Sequence, residues 1–214
     1  MPHAVRLLLI SGSLRSGSTN TSALRTARAV APPEIEATLY DGMDQLPHFN
    51  PDDDREGATV DPAVAALRAA IADADGLLFC TPEYAGALPG SFKNLLEWTV
   101  GDAGTYRKPI AWINVSGVAA PTGGGDAHDS LRKVLRYVGA HIVEPACVRI
   151  PLARSDIGEG GEITDDAIRG QIRDVLGVLV DAVREQDAED ARDAEDARDA
   201  EDARGAQAAS AASS

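Results

Sequence analysis

The chain has 214 residues, is 44% hydrophobic and 25% charged, and carries a formal net charge of −14. Such acidity argues against a nucleic-acid partner and against an anionic membrane surface, and the N-terminal apolar run is far shorter than the about 20 residues that span a bilayer. Two cysteines, Cys80 and Cys147, are too few for a disulfide framework and read as free thiols in a reducing cytoplasm, with no signal peptide in evidence.

Strand-like and helix-like segments alternate along the chain. Residues 4–10 form a continuous apolar run, as expected of a parallel strand covered on both faces. Residues 20–30 read as a helix stopped by Pro32 and Pro33, and Ile35–Tyr40 as a more alternating edge strand. A polar loop over 41–57 leads to a helix over 61–73, with Pro62 in its first turn where a missing N–H costs nothing. Gly76–Cys80 is a buried strand, residues 89–99 a helix, and 109–115 a fourth strand. A helix over 128–138 is expected to be capped by Asp126. A short fifth strand covers 147–150. Thr164 is expected to cap a last helix whose apolar stripe runs from Ile168 to Val183.

Five strands alternating with five helices predict an α/β fold, an open doubly wound parallel sheet with helices on both faces. The domain is placed at 1–186. Residues 187–204 repeat DAEDAR three times, with nine acids and three arginines, so −6 of the −14 belongs there. Without an apolar face, 187–214 reads as a low-complexity acidic tail, disordered or a frayed helix.

In a doubly wound sheet, ligands sit beyond the C-terminal strand ends where the strand order reverses. Three loops leave such ends, at 11–20, 81–88 and 116–125, all rich in Gly, Ser, Thr or Pro. The first has strand, small-residue loop and helix in succession, which is how an anion cradle is built from backbone N–H groups and a helix start. Gly12 to Thr19 has the glycine spacing of GxxxxGK[ST], but Ser18 stands where the lysine belongs, which argues against nucleotide hydrolysis; no G-x-G-x-x-G fingerprint is present either. Ser13, Arg15, Ser18, Thr19 and Asn20 suit one terminal phosphate, with Arg15 able to pair two of its oxygens.

These motifs carry a resemblance. GSLRSGSTN, TPEYAGALPGSFKNLLEW at 81–98 and SGVAAPTGGGDAHDSLRKVL at 116–135 resemble the NADPH-dependent FMN reductases, a family of flavodoxin-like fold that includes quinone, chromate and azo-dye reductases. The resemblance covers about residues 4–185. It implies bound FMN, NADPH or NADH as hydride donor, a small acceptor such as a quinone or free flavin, and a homodimer or dimer of dimers. It places the FMN phosphate on Ser13, Arg15, Ser18, Thr19 and Asn20, and the ring along Pro82, Glu83, Tyr84, Ala85 and Gly86. Ser116 and Gly117 would lie on the ring's other side. Many members have Asn where this chain has Ala85, and a polar residue where it has Ala87.

A flavin carries the redox chemistry itself, so no catalytic side chain and no metal is expected. His3, His48, His128 and His141 are scattered without metal-ligand spacing. Tyr84 is the aromatic expected against the ring or the nicotinamide, while Phe92 and Trp98 read as core or dimer contacts. Gly86 and Gly117 are expected to let the backbone approach the ring, with N–H groups of the second and third loops meeting the charge of the reduced flavin. The rivals to a reductase are a flavodoxin-like electron carrier and a flavin-binding sensor.

Overall fold

The computed structural model describes residues 4–212; His3 and the last two residues of the tail lie outside it. The strands β1 (Val5–Ser11), β2 (Ile35–Tyr40), β3 (Gly76–Cys80) and β4 (Pro109–Asn114) pair in parallel in the order β2-β1-β3-β4. The next place in the sheet is filled by two short pieces. β5 (His141–Ile142) pairs with Pro109 and Ile110, and β6 (Val148–Arg149) pairs with Ile113 and Asn114. The sequence places only one strand here, at 147–150. The split falls at a 3-10 turn, Glu144–Ala146, whose Pro145 has no N–H to give to a ladder.

Helices α1 (Thr19–Val30), α2 (Pro62–Asp73), α3 (Gly90–Glu97), α4 (Gly125–Tyr137) and α5 (Asp166–Ala212) cover both faces. The strand alternation decides which. Leu7, Leu9, Leu78, Cys80, Ala111 and Ile113 point to α1 and α5, meeting Leu24, Ala27, Ile172, Leu176 and Leu179. Their neighbours Leu8, Ile10, Leu77, Phe79, Ile110 and Trp112 point to α2, α3 and α4, meeting Leu67, Ile71, Phe92, Leu95, Leu131 and Leu135. A strand apolar at every position has a core on each side, and β3 and β4 are buried throughout. β2 is buried only at Ile35, as an edge strand must be. Phe92 and Trp98 are core residues.

Two helix caps differ from expectation. The Asp165 carboxylate, not Thr164, accepts from the Ile168 N–H at 2.9 Å at the start of α5. α4 begins directly after Gly124, which sits at φ 78°, and Asp126 lies inside its first turn. The loop over 41–57 contains two 3-10 turns, Met43–Gln45 and Pro51–Asp53.

In the tail, read from the sequence as disordered or a frayed helix, α5 continues to Ala212. Among the residues whose burial is described, the last buried apolar one is Val183, so core packing does not carry the next turns of the helix. A helix already nucleated by docking extends without paying for a new nucleus, and Ala, Glu and Arg are good formers. Two contacts hold the first turns beyond the core. His141 Nδ1 lies 3.1 Å from Gln186 Oε1, and Arg107 Nη2 lies 2.8 Å from Asp190 Oδ1.

Candidate functional site

Strand order reverses between β1 and β3, since β1 is followed in sequence by β2 on one side and pairs with β3 on the other. The loops after β1 and β3 touch there. Gly12 N–H donates to Cys80 O at 2.9 Å, and a Cβ on Gly12 would stand 2.1 Å from Thr81 Oγ1. Only glycine fits. Beyond it the chain turns into α1 through Ser18, which has extended backbone and makes no side-chain capping bond. The first N–H groups of α1 are therefore not satisfied by a cap. Around them Ser13, Ser18 and Asn20 are buried polar side chains, a donor-rich lining at the positive end of a helix.

Asn20 is oriented by a residue the sequence reading left in the core. The buried Cys80 thiol donates to Asn20 Oδ1 at 3.3 Å, and Asn20 Nδ2 lies 3.5 Å from Ser18 Oγ. Burial pushes both thiols up, Cys147 to about 12, so neither is a thiolate nucleophile at neutral pH. Arg15 is exposed on the same loop, its guanidinium donating to Gly17 O at 3.5 Å.

The second loop carries a two-residue turn. Tyr84 and Ala87 exchange both backbone hydrogen bonds, at 3.0 and 3.1 Å, and Ala85 and Gly86 between them have φ of 50° and 72°. Two positive φ values in succession mark a type I′ hairpin turn. Tyr84 is 50% exposed.

The third loop is braced from within. Asn114 Oδ1 accepts from Ser116 N–H at 3.0 Å, and Asn114 Nδ2 donates to Gly123 O at 2.8 Å. The Ser116 amide is thus already engaged. Arg149 Nη2, on β6, donates to Ser116 O and Gly117 O at 3.3 Å each. The glycines this loop requires are Gly123 and Gly124, at φ of 61° and 78°; a Cβ on Gly124 would meet Ser116 Oγ at 2.3 Å, while at Gly117 it would make only an ordinary contact. His128 Nδ1 donates to Gly124 O at 2.7 Å. Burial holds the imidazole below its usual pKa, so it is neutral, and its Nε2 has no hydrogen-bond partner.

The three loops meet at a cavity of about 280 Å³ lined by Thr19, Asn20, Pro82, Glu83, Ser116 and Gly117, together with Val115, Ala120, Pro121, Thr122, Gly124 and Leu152. Six of the sequence-predicted residues thus come together. Ser13, Arg15 and Ser18 are not in this lining and sit on the loop before α1; Tyr84, Ala85 and Gly86 form the hairpin turn beside it. Thr122 lies in a loop the sequence singled out, three residues before a helix. Leu152 had no signal, because only the fold brings the segment after β6 to this edge. Larger hollows, of about 400 and 450 Å³, adjoin Arg6 and Ala74 or Arg107 and His141, at the opposite, N-terminal ends of the strands. Among the described residues no group of His, Cys, Asp and Glu is placed to hold a metal ion, and no helix is long and apolar enough to cross a membrane.

Comparison with known proteins bears on the fold and the family. A flavoenzyme NAD(P)H:(acceptor) oxidoreductase from Paracoccus denitrificans superposes with a TM-score of 0.72 at 24% identity, over 85% of this chain and 98% of that one, which shows the flavodoxin-like fold. An NAD(P)H-dependent FMN reductase of Pseudomonas aeruginosa is 34% identical over 181 residues, 84% of this chain and 95% of its own. A probable NADPH:quinone oxidoreductase of Oryza sativa subsp. japonica is 31% identical over 183 residues, covering 82% and 87%. Residues 5–154 match the NADPH-dependent FMN reductase family, and the chain belongs to that family.

Proposed function

We propose that the cleft over β1, β3 and β4 is where this NAD(P)H-dependent oxidoreductase holds FMN, and that the loop from Ser13 to Asn20 is its phosphate anchor. The observation that carries this reading is the uncapped start of α1 beside buried Ser13, Ser18 and Asn20. Open N–H groups, hydroxyls and an amide at a helix N-terminus fit a phosphate. Arg15, exposed on that loop, adds the positive charge. The second loop, Pro82 to Gly86, lies along one side of the ring, and Ser116 and Gly117 lie on the other.

FMN held there would supply the two-electron chemistry linking NADPH or NADH to a quinone or flavin acceptor. The protein's part is to bind, orient and shield. Asn20 is held by Cys80 so that its amide NH₂ faces the anchor. The Tyr84 and Ala87 amides are consumed in the hairpin, and that of Ser116 by Asn114; none of the three meets the ring's charge. The acidic surface fits small-molecule partners rather than nucleic acid, and the free thiols fit a cytoplasmic setting. We propose a homodimer or dimer of dimers, as the resemblance implies.

The test is direct. The purified chain is expected to be yellow or to bind added FMN, and to lose its visible flavin absorbance on anaerobic mixing with NADPH or NADH. Flavin bound but bleached by neither coenzyme would replace the reductase with an electron carrier or sensor.

A further inference from the structure

The Glu83 carboxylate joins two loops that reach the cleft from different strands. A carboxylate only accepts hydrogen bonds, so the Thr122 hydroxyl is the donor, with Oγ1 at 2.7 Å from Oε1 and 2.8 Å from Oε2. The hydroxyl's lone pairs remain for the Gly124 N–H at 3.3 Å. On its other side Glu83 Oε2 accepts from the Ala127 N–H at 3.4 Å, in the first turn of α4. There the helix dipole favours a negative charge.

The chain of bonds therefore runs from the loop after β3, through the loop after β4, into α4. The far end is tied down. The Gly124 carbonyl accepts from His128 Nδ1, and the neighbouring carbonyl, that of Gly123, accepts from Asn114 Nδ2. Both Glu83 and Thr122 line the cavity, so the bridge is part of its wall. A carboxylate with these partners is already occupied by protein.

We infer that Glu83 is a positioning residue: latched to Thr122 and to α4, it sets the separation of the two loops that flank the flavin ring and does not bond the ring itself. This rests on the cleft being the FMN site.

A double-mutant cycle on the full-length chain tests it, with the FMN dissociation constant read from flavin fluorescence. Thr122→Val keeps shape and removes the donor. Glu83→Ala removes the acceptor. Each is expected to weaken FMN binding about tenfold, the scale of a bond to a charged group. The double variant should be no weaker than about the worse single one, because either change opens the same latch. Thr122→Ser, which keeps the hydroxyl, should restore the affinity. Melting of the apo variants, on the same samples, separates a lost fold from a lost latch; if Glu83→Ala does not fold, Glu83→Gln takes its place in the cycle. Losses that multiply in the double variant, or wild-type affinity in Thr122→Val, overturn the latch while leaving the FMN site intact. A wild-type chain that binds no FMN overturns the FMN reading, and the latch with it.

Discussion

Ala85 holds φ at 50°, a left-handed conformation that costs a residue with a Cβ roughly 1–2 kcal/mol. The turn demands it: a type I′ hairpin needs positive φ at both central positions, and Gly86 meets the demand freely while Ala85 does not. Asn is the residue best suited to the first of these positions, which gives a conformational reason for the Asn that many relatives in the resemblance carry there. Ala85→Asn is therefore expected to stabilise the apo protein by about 0.5–1 kcal/mol, a rise of roughly 1–4 °C in melting temperature for a domain of this size. Thermal unfolding by circular dichroism checks it. An unchanged or lower melting temperature would overturn the backbone account of this position.

This residue also shows what could be read from the sequence. The three loops and the motif around Ala85 were legible because glycine spacing, apolar runs and turn residues are local. Pairings across loops were not. Nothing local says that the Cys80 thiol meets Asn20, that Glu83 meets Thr122, or that Gly124 rather than Gly117 is the crowded glycine. Each depends on distances between strands that the fold sets.

Among the elements, the central strands were legible because burial on both faces leaves an unbroken apolar run, as in Gly76–Cys80. The fifth place in the sheet was not, since two-residue strands carry no periodicity. Pro145 was the available sign that the segment breaks. The tail was legible only as two alternatives, because absence of an apolar face argues against docking, not against helix. Its extension of α5 yields a prediction. Truncation after Gln186 keeps the core and the His141–Gln186 bond and removes, among the described contacts, the Arg107–Asp190 pair, whose side chains are 52% and 48% exposed. Exposed pairs contribute about 0–1 kcal/mol, so a chain ending at 186 should melt within a few degrees of the full one and bind FMN as tightly. A loss of several kcal/mol in chemical denaturation would show that the long helix is braced by contacts beyond Asp190.

At the scale of the molecule, charge sets the approach of substrates. The net charge of −14 repels an anionic coenzyme and leaves a neutral quinone unaffected. The repeats contribute −6 of it, but α5 leaves the body beside Arg107 and His141, at the N-terminal ends of β4 and β5. The cleft lies at the other end of β4, a six-residue strand and so roughly 20 Å long. The Debye length falls from about 30 Å at 0.01 M salt to about 8 Å at 0.15 M, so at physiological salt the tail is screened from the site and the acids of the body are what the coenzyme meets. kcat/KM for NADPH is therefore expected to rise severalfold between these two salt concentrations, with kcat little changed. The value for a neutral quinone should stay flat. Truncation at 186 should lower the slope for NADPH only at the dilute end, where the longer screening length still carries the tail's field to the cleft. Steady-state kinetics of the full and truncated chains across that range measure all three. If kcat/KM for NADPH instead falls with salt, the local positive end of α1 and Arg15 outweigh the net charge, and the anchor steers the coenzyme as well as the cofactor.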